Sequence, residues 1–314
     1  MSKRVIFMGT PGFAAPSLEA LFNSVYKVVA VYTQPDKEAG RGRHINLSPV
    51  KELALSRGVA VVQPETLKDS NVSKHIASLK PDLIVVAAYG RIIPSEILSV
   101  PKFGCLNVHP SLLPCYRGSS PIATAILQGD EVTGVTIMLM DKEMDTGPIL
   151  AQKSILISGE DTTGSLTARL AQVGARLLVD TLAPWLEGKI MPQPQDETRA
   201  SYTKTIAKED GAMDWRLTAL ELWRRVRAFE PWPGCYTWWQ GKRLKISEAT
   251  PLTGGKPEEA GKVIALPRGA KALIGIETRD GILGIIRVQL EGKRAISAEE
   301  FVRGQRDFVG SRLL

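Results

Sequence analysis

Cysteine and histidine are scarce, with three of each in 314 residues. Cys105, Cys115 and Cys235 are odd in number and share no paired spacing, which excludes a disulfide framework and a cysteine-based zinc site. His44 and His75 stand isolated, so no metal is expected. No apolar run approaches the ~20 residues of a membrane-spanning helix. The early run Val5-Ile6-Phe7-Met8 is broken by Gly9-Thr10-Pro11-Gly12, too soon for a signal peptide. Internal repeats and low-complexity tracts are missing as well. These absences predict a reduced, cytoplasmic protein with no membrane attachment.

A length of 314 exceeds the ~250–300 residues at which single cores stop growing, so two domains are expected. Hydrophobic residues at 44% and charged residues at 23% exclude a disordered chain. The net charge of +7 is unevenly placed: residues 1–199 carry 20 Lys+Arg against 19 Asp+Glu, and residues 200–314 carry 20 against 14. A basic module joined to a neutral one fits that division. Such a module suits an anionic partner such as nucleic acid, although surplus charge also serves solubility.

Short Val- and Ile-rich runs at 4–8, 28–32, 59–62, 83–88, 105–108 and 135–140 alternate with helix-like patterns such as Pro16 to Phe22 and Pro49 to Arg57. This alternation predicts an α/β domain with a doubly wound, mostly parallel sheet. After Asp161-Thr162-Thr163, apolar residues 166, 170, 173, 177 and 178 predict a long amphipathic helix, kinked or ended by Pro184 and stopped by Gly188. The polar stretch from Pro192 has no period and reads as a linker. Beyond it, a helix over Leu217 to Phe229 precedes strand candidates at 235–239, 243–247, 262–266, 271–278 and 282–290. That pattern predicts a small β-barrel of the oligonucleotide-binding (OB) type, with a sandwich as the alternative. Ser297 and Glu300 form a capping-box pair for a last short helix. The expected organisation is a catalytic domain over 1–190, a linker over 191–208 and a basic barrel over 209–314.

The turn Gly9-Thr10-Pro11-Gly12 lacks the G-x-G-x-x-G spacing, and Tyr32-Thr33-Gln34 offers no carboxylate for a ribose, so a nicotinamide oxidoreductase is disfavoured. The stretch Leu106-Asn107-Val108-His109-Pro110 is more informative. An extended backbone points Asn107 and His109 to one side, at the carboxyl end of a strand where α/β sites lie. Asp145 follows the next strand in a separate loop. An amide, an imidazole and a carboxylate at neighbouring strand ends suit acyl transfer: two groups can hold an oxyanion while the third helps move a proton. No Ser or Cys is arranged as a nucleophile, which assigns that part to a substrate. Each residue also fits a structural role, Asn107 and Asp145 in turns and His109 as an ordinary hydrogen-bonding group.

Together, Asn107-Val108-His109-Pro110-Ser111-Leu112-Leu113-Pro114, Tyr116-Arg117-Gly118 and Asp145-Thr146-Gly147 resemble the signature of the folate-dependent formyltransferases. Phe7-Met8-Gly9-Thr10-Pro11, Thr33-Gln34-Pro35-Asp36, Ala87-Ala88-Tyr89-Gly90, Gln195-Asp196-Glu197, Arg227-Ala228-Phe229 and Trp232-Pro233 extend the resemblance to essentially the whole chain, and to the branch acting on methionyl-tRNA. It implies a Rossmann-like catalytic domain, 10-formyltetrahydrofolate as donor without a metal, and initiator methionyl-tRNA as acceptor. It further implies Asn107, His109 and Asp145 as the catalytic trio. Ser111, Leu112, Leu113 and Pro114, with Tyr89, Gly90, Arg91 and Ile92, would lie at the folate, and Met138 to Met144 at its pteridine. Cys115 stands where the family usually has Arg or another basic residue, which bears on a local charge contact and not on the chemistry.

The connection from Gln34 to Ser48 is longer than the ~2–6 residues usual in α/β units, and Gly40 and Gly42 flank Arg41. By the resemblance this loop engages the acceptor end of tRNA, through Lys37, Arg41 and Arg43. Arg224, Arg225 and Arg227 share about half a helix circumference, opposite Leu222, Val226 and Phe229. With Lys242, Arg243 and Lys245 they form a candidate tRNA surface, or a merely solvated face. Trp232, Trp238 and Trp239 could stack bases or pack a core. A monomer is expected. A formyltransferase for another amine and a catalytically silent RNA-binding protein are the rival readings.

Overall fold

The computed structural model describes residues 2–39, 44–267 and 269–314. They form two compact units: Met1–Pro121, Val132–Leu156 and Leu166–Lys204 in the first, and Ile122–Glu131, Ile157–Ser165 and Thr205–Leu314 in the second.

The first unit is built on a seven-stranded sheet in the order 149–156, 132–139, 105–109, 83–87, 4–9, 27–32, 61–62. The five strands from 61–62 to 105–109 run parallel. Val5 to Met8 and Leu83 to Ala87 are buried without alternation, as strands covered on both faces must be. The strand Val132–Leu139 runs antiparallel to Cys105–His109, and Ile149–Leu156 runs antiparallel to it in turn. This last strand escapes sequence reading because Gln152, Lys153 and Ser154 are exposed at its centre, leaving neither an apolar run nor clean alternation. Between the strands, helix Pro49–Ser56 starts as its sequence dictates, with Pro49 in the first turn and the Ser48 hydroxyl accepting from the Lys51 amide.

The helix Thr163–Leu186 buries Leu166, Leu170 and Leu178, as its period predicts. It runs through Pro184 and ends where Gly188 adopts φ +70°, so the stop comes from glycine's left-handed conformation. Gly174 brings this helix close to the sheet, since a Cβ there would lie 2.8 Å from Val108 Cγ1. The 34–48 connection contains a two-stranded stem, Lys37–Ala39 paired antiparallel with His44–Asn46.

In the second unit, helix Ala219–Ala228 opens with a reciprocal capping box between Thr218 and Glu221 and buries Leu222 and Val226. Its sheet is antiparallel throughout, in the order 235–239, 242–252, 282–290, 274–277, 263–265, with Ile296–Ser297 added on 282–290. Register shifts around Glu248 mark a bulge in the eleven-residue strand Lys242–Leu252. The result is an OB-like half-barrel. Trp239, Phe301 and Phe308 meet edge-to-face within its core at centroid distances of 4.9 to 5.7 Å, so Trp239 packs, while Trp232 and Trp238 stay exposed.

Candidate active site

Asn107 and His109 occupy alternate positions of the strand Cys105–His109, opposite Met138 and Thr136. The antiparallel register places Leu139 beside Leu106, so the 140–148 turn leaves from the amino end of that strand. It must double back to reach Asn107, a different route from adjoining carboxyl ends. Two features of the turn make this return. Asp145 adopts φ +56°, and a Cβ on Gly147 would lie 1.9 Å from the Leu139 carbonyl oxygen. A left-handed non-glycine residue costs about 1 kcal/mol or more and persists only where its surroundings fix it. Gly147→Ala is expected to lose about 1–3 kcal/mol of stability, measured by urea denaturation, because the new methyl meets backbone.

Within the trio, Asn107 Nδ2 donates to Asp145 Oδ1 at 3.3 Å, and the Gly118 amide donates to Oδ2 at 2.9 Å. His109 is almost fully buried, with Nδ1 3.7 Å from Asp145 Oδ2 and Nε2 3.1 Å from the Tyr116 carbonyl oxygen. A carbonyl only accepts, so Nε2 carries a proton. In the neutral ring Nδ1 therefore turns a lone pair toward the carboxylate, and the space between them can take one proton.

Burial holds the His109 pKa below the usual imidazole value, against smaller upward pulls from Asp145 and the Tyr116 carbonyl. The sign for stability follows. The unfolded chain binds the proton more readily, so stability from this group rises with pH and falls as pH drops below about 6.5. His109→Asn is expected to flatten that part of the stability–pH curve.

The trio stands at one side of a cleft of about 450 Å³, lined by Val86, residues 88–93, residues 107–110, Gly118, Ser119, Pro121 and residues 140–145. Ile92 and Met144 are exposed apolar residues at this cleft. Tyr89 is buried, and its hydroxyl has no hydrogen-bond partner among the described residues. Gln34 donates to the Tyr89 carbonyl at 2.8 Å, and its amide fills the space a side chain on Gly90 would need.

Tyr89, Gly90, Arg91 and Ile92 line the cleft, whereas Ser111, Leu112, Leu113 and Pro114 are not among its lining residues. Ser111 is buried and donates to the Cys115 carbonyl at 2.6 Å. Thr136 Oγ1 donates to the Ser111 carbonyl and accepts from the Leu113 amide and Gln152 Nε2. That buried knot fixes the turn after His109. Met138 is also buried behind the lining, which Met140 to Met144 provide. Cys105 and Cys235 are buried, and burial pushes both thiols up to about 12.

Arg41 and Arg43 lie outside the described residues, and Lys37 is placed by its backbone in the 37–46 stem. In the second unit, Arg227 stacks on Trp223 at 3.8 Å and donates to the carbonyls of Ser158 and Asp161. Its burial lowers its pKa from the usual guanidinium value. Arg225 lies over Phe229, Arg243 over Tyr236 at 3.9 Å, and Lys245 pairs with Glu230 at 3.2 Å. Lys242 is exposed and Arg224 is half-buried. Sequence reasoning missed the Gly118 amide, the Tyr116 carbonyl and Gln195, all backbone contacts or residues in an aperiodic stretch. Among the described residues no group of three or more His, Cys, Asp or Glu is placed to hold a metal ion.

The formyl transferase family model matches residues 3–182, and its C-terminal domain model matches residues 205–306. The chain belongs to the formyl transferase family. More narrowly, it belongs with the methionyl-tRNA formyltransferases: the protein of that name from Caldanaerobacter subterraneus subsp. tengcongensis is 45% identical over 302 residues, 96% of each chain. Its counterpart from Roseiflexus sp. (strain RS-1) is 46% identical over 315 residues, 100% of this chain and 96% of that one. Solved structures share the fold. The N-formyltransferase from Helicobacter canadensis, in complex with folinic acid and dTDP-3-aminofucose, aligns with a TM-score of 0.65 at 21% identity over 91% of this chain and 98% of that one. HypX from Aquifex aeolicus, in complex with tetrahydrofolic acid, aligns with a TM-score of 0.63 at 21% identity over 98% of this chain, which spans about half (48%) of that protein.

Proposed function

We propose that the chain transfers the formyl group of 10-formyltetrahydrofolate to the α-amino group of initiator methionyl-tRNA, giving N-formylmethionyl-tRNA for translation initiation. The observation that carries this reading is the trio beside the cleft, with a proton slot between His109 Nδ1 and Asp145 Oδ2 3.7 Å apart. The cleft suits the donor's flat heteroaromatic head. Val86, Ile92, Ile93 and Met140 supply apolar walls, and Asn107, Ser119 and Asp141 are polar residues of the lining. Ser111 to Pro114 would support the donor site by holding its wall.

An α-amino group has a pKa of ~7.7–8.0 and attacks only when deprotonated. As its nitrogen bonds to the formyl carbon, the carbonyl oxygen becomes an oxyanion. Asn107 can meet it with the second hydrogen of its amide, the first being held by Asp145. The amine's proton enters the His109–Asp145 slot, where facing lone pairs become an N–H···O hydrogen bond. Collapse breaks the bond from the formyl carbon to N10 of the folate, and the stored proton leaves with tetrahydrofolate. His109 thus enters neutral and carries charge only while the intermediate exists.

The acceptor's polyanion is assigned to the basic surplus of the C-terminal module and to Lys37, Arg41 and Arg43. Arg224 and Lys242 are its more available residues, since Arg225, Arg227, Arg243 and Lys245 already have partners in the fold. Affinity for tRNA should fall as salt rises, and Arg41→Ala should raise KM for tRNA and reduce the slope of log affinity against log salt by about 1. An unchanged slope and KM would remove Arg41 from the interface. No helix among the described residues is long and apolar enough to cross a membrane. A cytoplasmic monomer is the assembly proposed.

The reading is tested with formyl-labelled donor and an acceptor panel of methionyl-tRNA, free methionine and a nucleotide-linked amino sugar. Label should enter methionyl-tRNA alone. Preferential formylation of free methionine or the sugar, or of none, would overturn it.

A further inference from the structure

Arg117 is completely buried, yet its partner Glu197 comes from the polar stretch expected to be a linker and is 67% exposed. The guanidinium donates to Glu197 through both terminal nitrogens, at 2.9 and 2.6 Å. It also donates to Gln195 Oε1 at 3.1 and 2.9 Å and to the Tyr202 hydroxyl at 2.9 Å. Arginine has no acceptor, so these contacts fix the Gln195 amide with its oxygen toward Arg117. Its Nε2 is thereby aimed away, and it donates to the carbonyls of Asp145 and Gly147, at 2.8 Å each. Those carbonyls belong to Asp145 itself, which adopts φ +56°, and to the second residue after it.

The residues flanking Arg117 complete the arrangement. Tyr116 accepts from His109 Nε2 through its carbonyl, and Gly118 donates its amide to Asp145 Oδ2. The same segment is tied to 201–203: Tyr116 donates to Ser201 Oγ at 2.9 Å, and Arg117–Gly118 pairs in parallel with Tyr202–Thr203. One three-residue stretch therefore touches both members of the proton-handling pair. From behind, the 195–203 segment holds that stretch and the Asp145 turn together.

We infer that Gln195, oriented by Arg117 and Glu197, is a positioning residue that holds Asp145 in its left-handed conformation and so keeps the carboxylate against the Gly118 amide and His109. The inference rests on the reading of Asp145 as the group that handles the amine's proton. None of the three residues is assigned contact with either substrate. Their removal should lower the rate of the chemical step and leave binding alone, since displacement of a reacting group by about 1 Å can cost 10²-fold in rate.

The test uses the full chain, methionyl-tRNA and 10-formyltetrahydrofolate. Gln195→Leu keeps most of the side-chain volume and loses every polar contact. It should lower kcat by about 10- to 100-fold, with both KM values within about twofold of wild type. Glu197→Ala should show the same pattern in weaker form, and Glu197→Gln, which keeps an acceptor for Arg117, should recover most of the rate. If Gln195→Leu folds poorly, the exposed Glu197 pair decides the matter. Unchanged kcat, or a loss that vanishes when rates are normalised to folded protein, would overturn the inference. Asp145→Asn separates the two levels: inactivity there beside full activity in Gln195→Leu and Glu197→Ala rejects only the positioning role, whereas an active Asp145→Asn rejects the reading beneath it.

Discussion

Replacing Asp145 with Asn should leave a folded protein whose kcat is about 10³-fold below wild type, within the 10²–10⁴ range for loss of a positioned acid or base. The substitution is nearly isosteric, and its oxygen can still accept the Gly118 amide that now lies 2.9 Å from Oδ2. The other position would carry an amide facing Asn107 Nδ2, which is 3.3 Å from Oδ1, so two donors would oppose each other. The larger effect is electrostatic. Without the carboxylate, a proton arriving at His109 Nδ1 has no counter-charge within a buried site, and burial already disfavours the imidazolium. The amine's proton then has no acceptor as the carbon–nitrogen bond forms. Thermal unfolding should change little, and KM for the folate should be close to wild type. Near-normal turnover would remove Asp145 from the mechanism.

Asn107→Ala should have the second largest effect, a fall in kcat of about 10²–10³-fold, typical for losing one oxyanion donor. Most of the donor site should stay intact, because Asn107 is one lining residue among many, with Val86, residues 88–93 and residues 140–145 supplying most of the wall. Asp145 Oδ1 loses the Asn107 amide as a donor in this variant, so part of the loss passes through the carboxylate. The two substitutions should therefore combine far less than additively: Asn107→Ala with Asp145→Asn should be only slightly slower than Asp145→Asn alone. Full additivity in rates measured on the single and double variants would show two independent functions instead of one unit.

How far residues alone carry such a description depends on the kind of interaction. Strands such as Val5–Met8 and Leu83–Ala87 announce themselves because burial on both faces leaves only apolar residues. Asn107 and His109 could be paired because an extended chain has a period of two. The strand Ile149–Leu156 gave no such sign, being an exposed edge whose centre is polar. Its absence from the sequence reading concealed that the Asp145 turn starts from the amino end of the neighbouring strand and doubles back. Gln195 was out of reach for another reason: it acts through backbone carbonyls 48 and 50 residues away, and no local pattern encodes that. The arginines of helix Ala219–Ala228 make the converse point. Their spacing suggested a single cationic face, but Arg225 and Arg227 lie over aromatic rings and donate to backbone carbonyls.

The central claim is that the substrate's own amine attacks the formyl carbon while Asn107, His109 and Asp145 manage its charge and proton. A single-turnover experiment with formyl-labelled donor tests it most directly, following label with time after mixing excess enzyme with methionyl-tRNA. Label should pass from folate to methionyl-tRNA with none on quenched protein at any time, and this transfer should be slowed about 10³-fold in Asp145→Asn. Label appearing on the protein before the tRNA, or a wild-type transfer rate in Asp145→Asn, would contradict it.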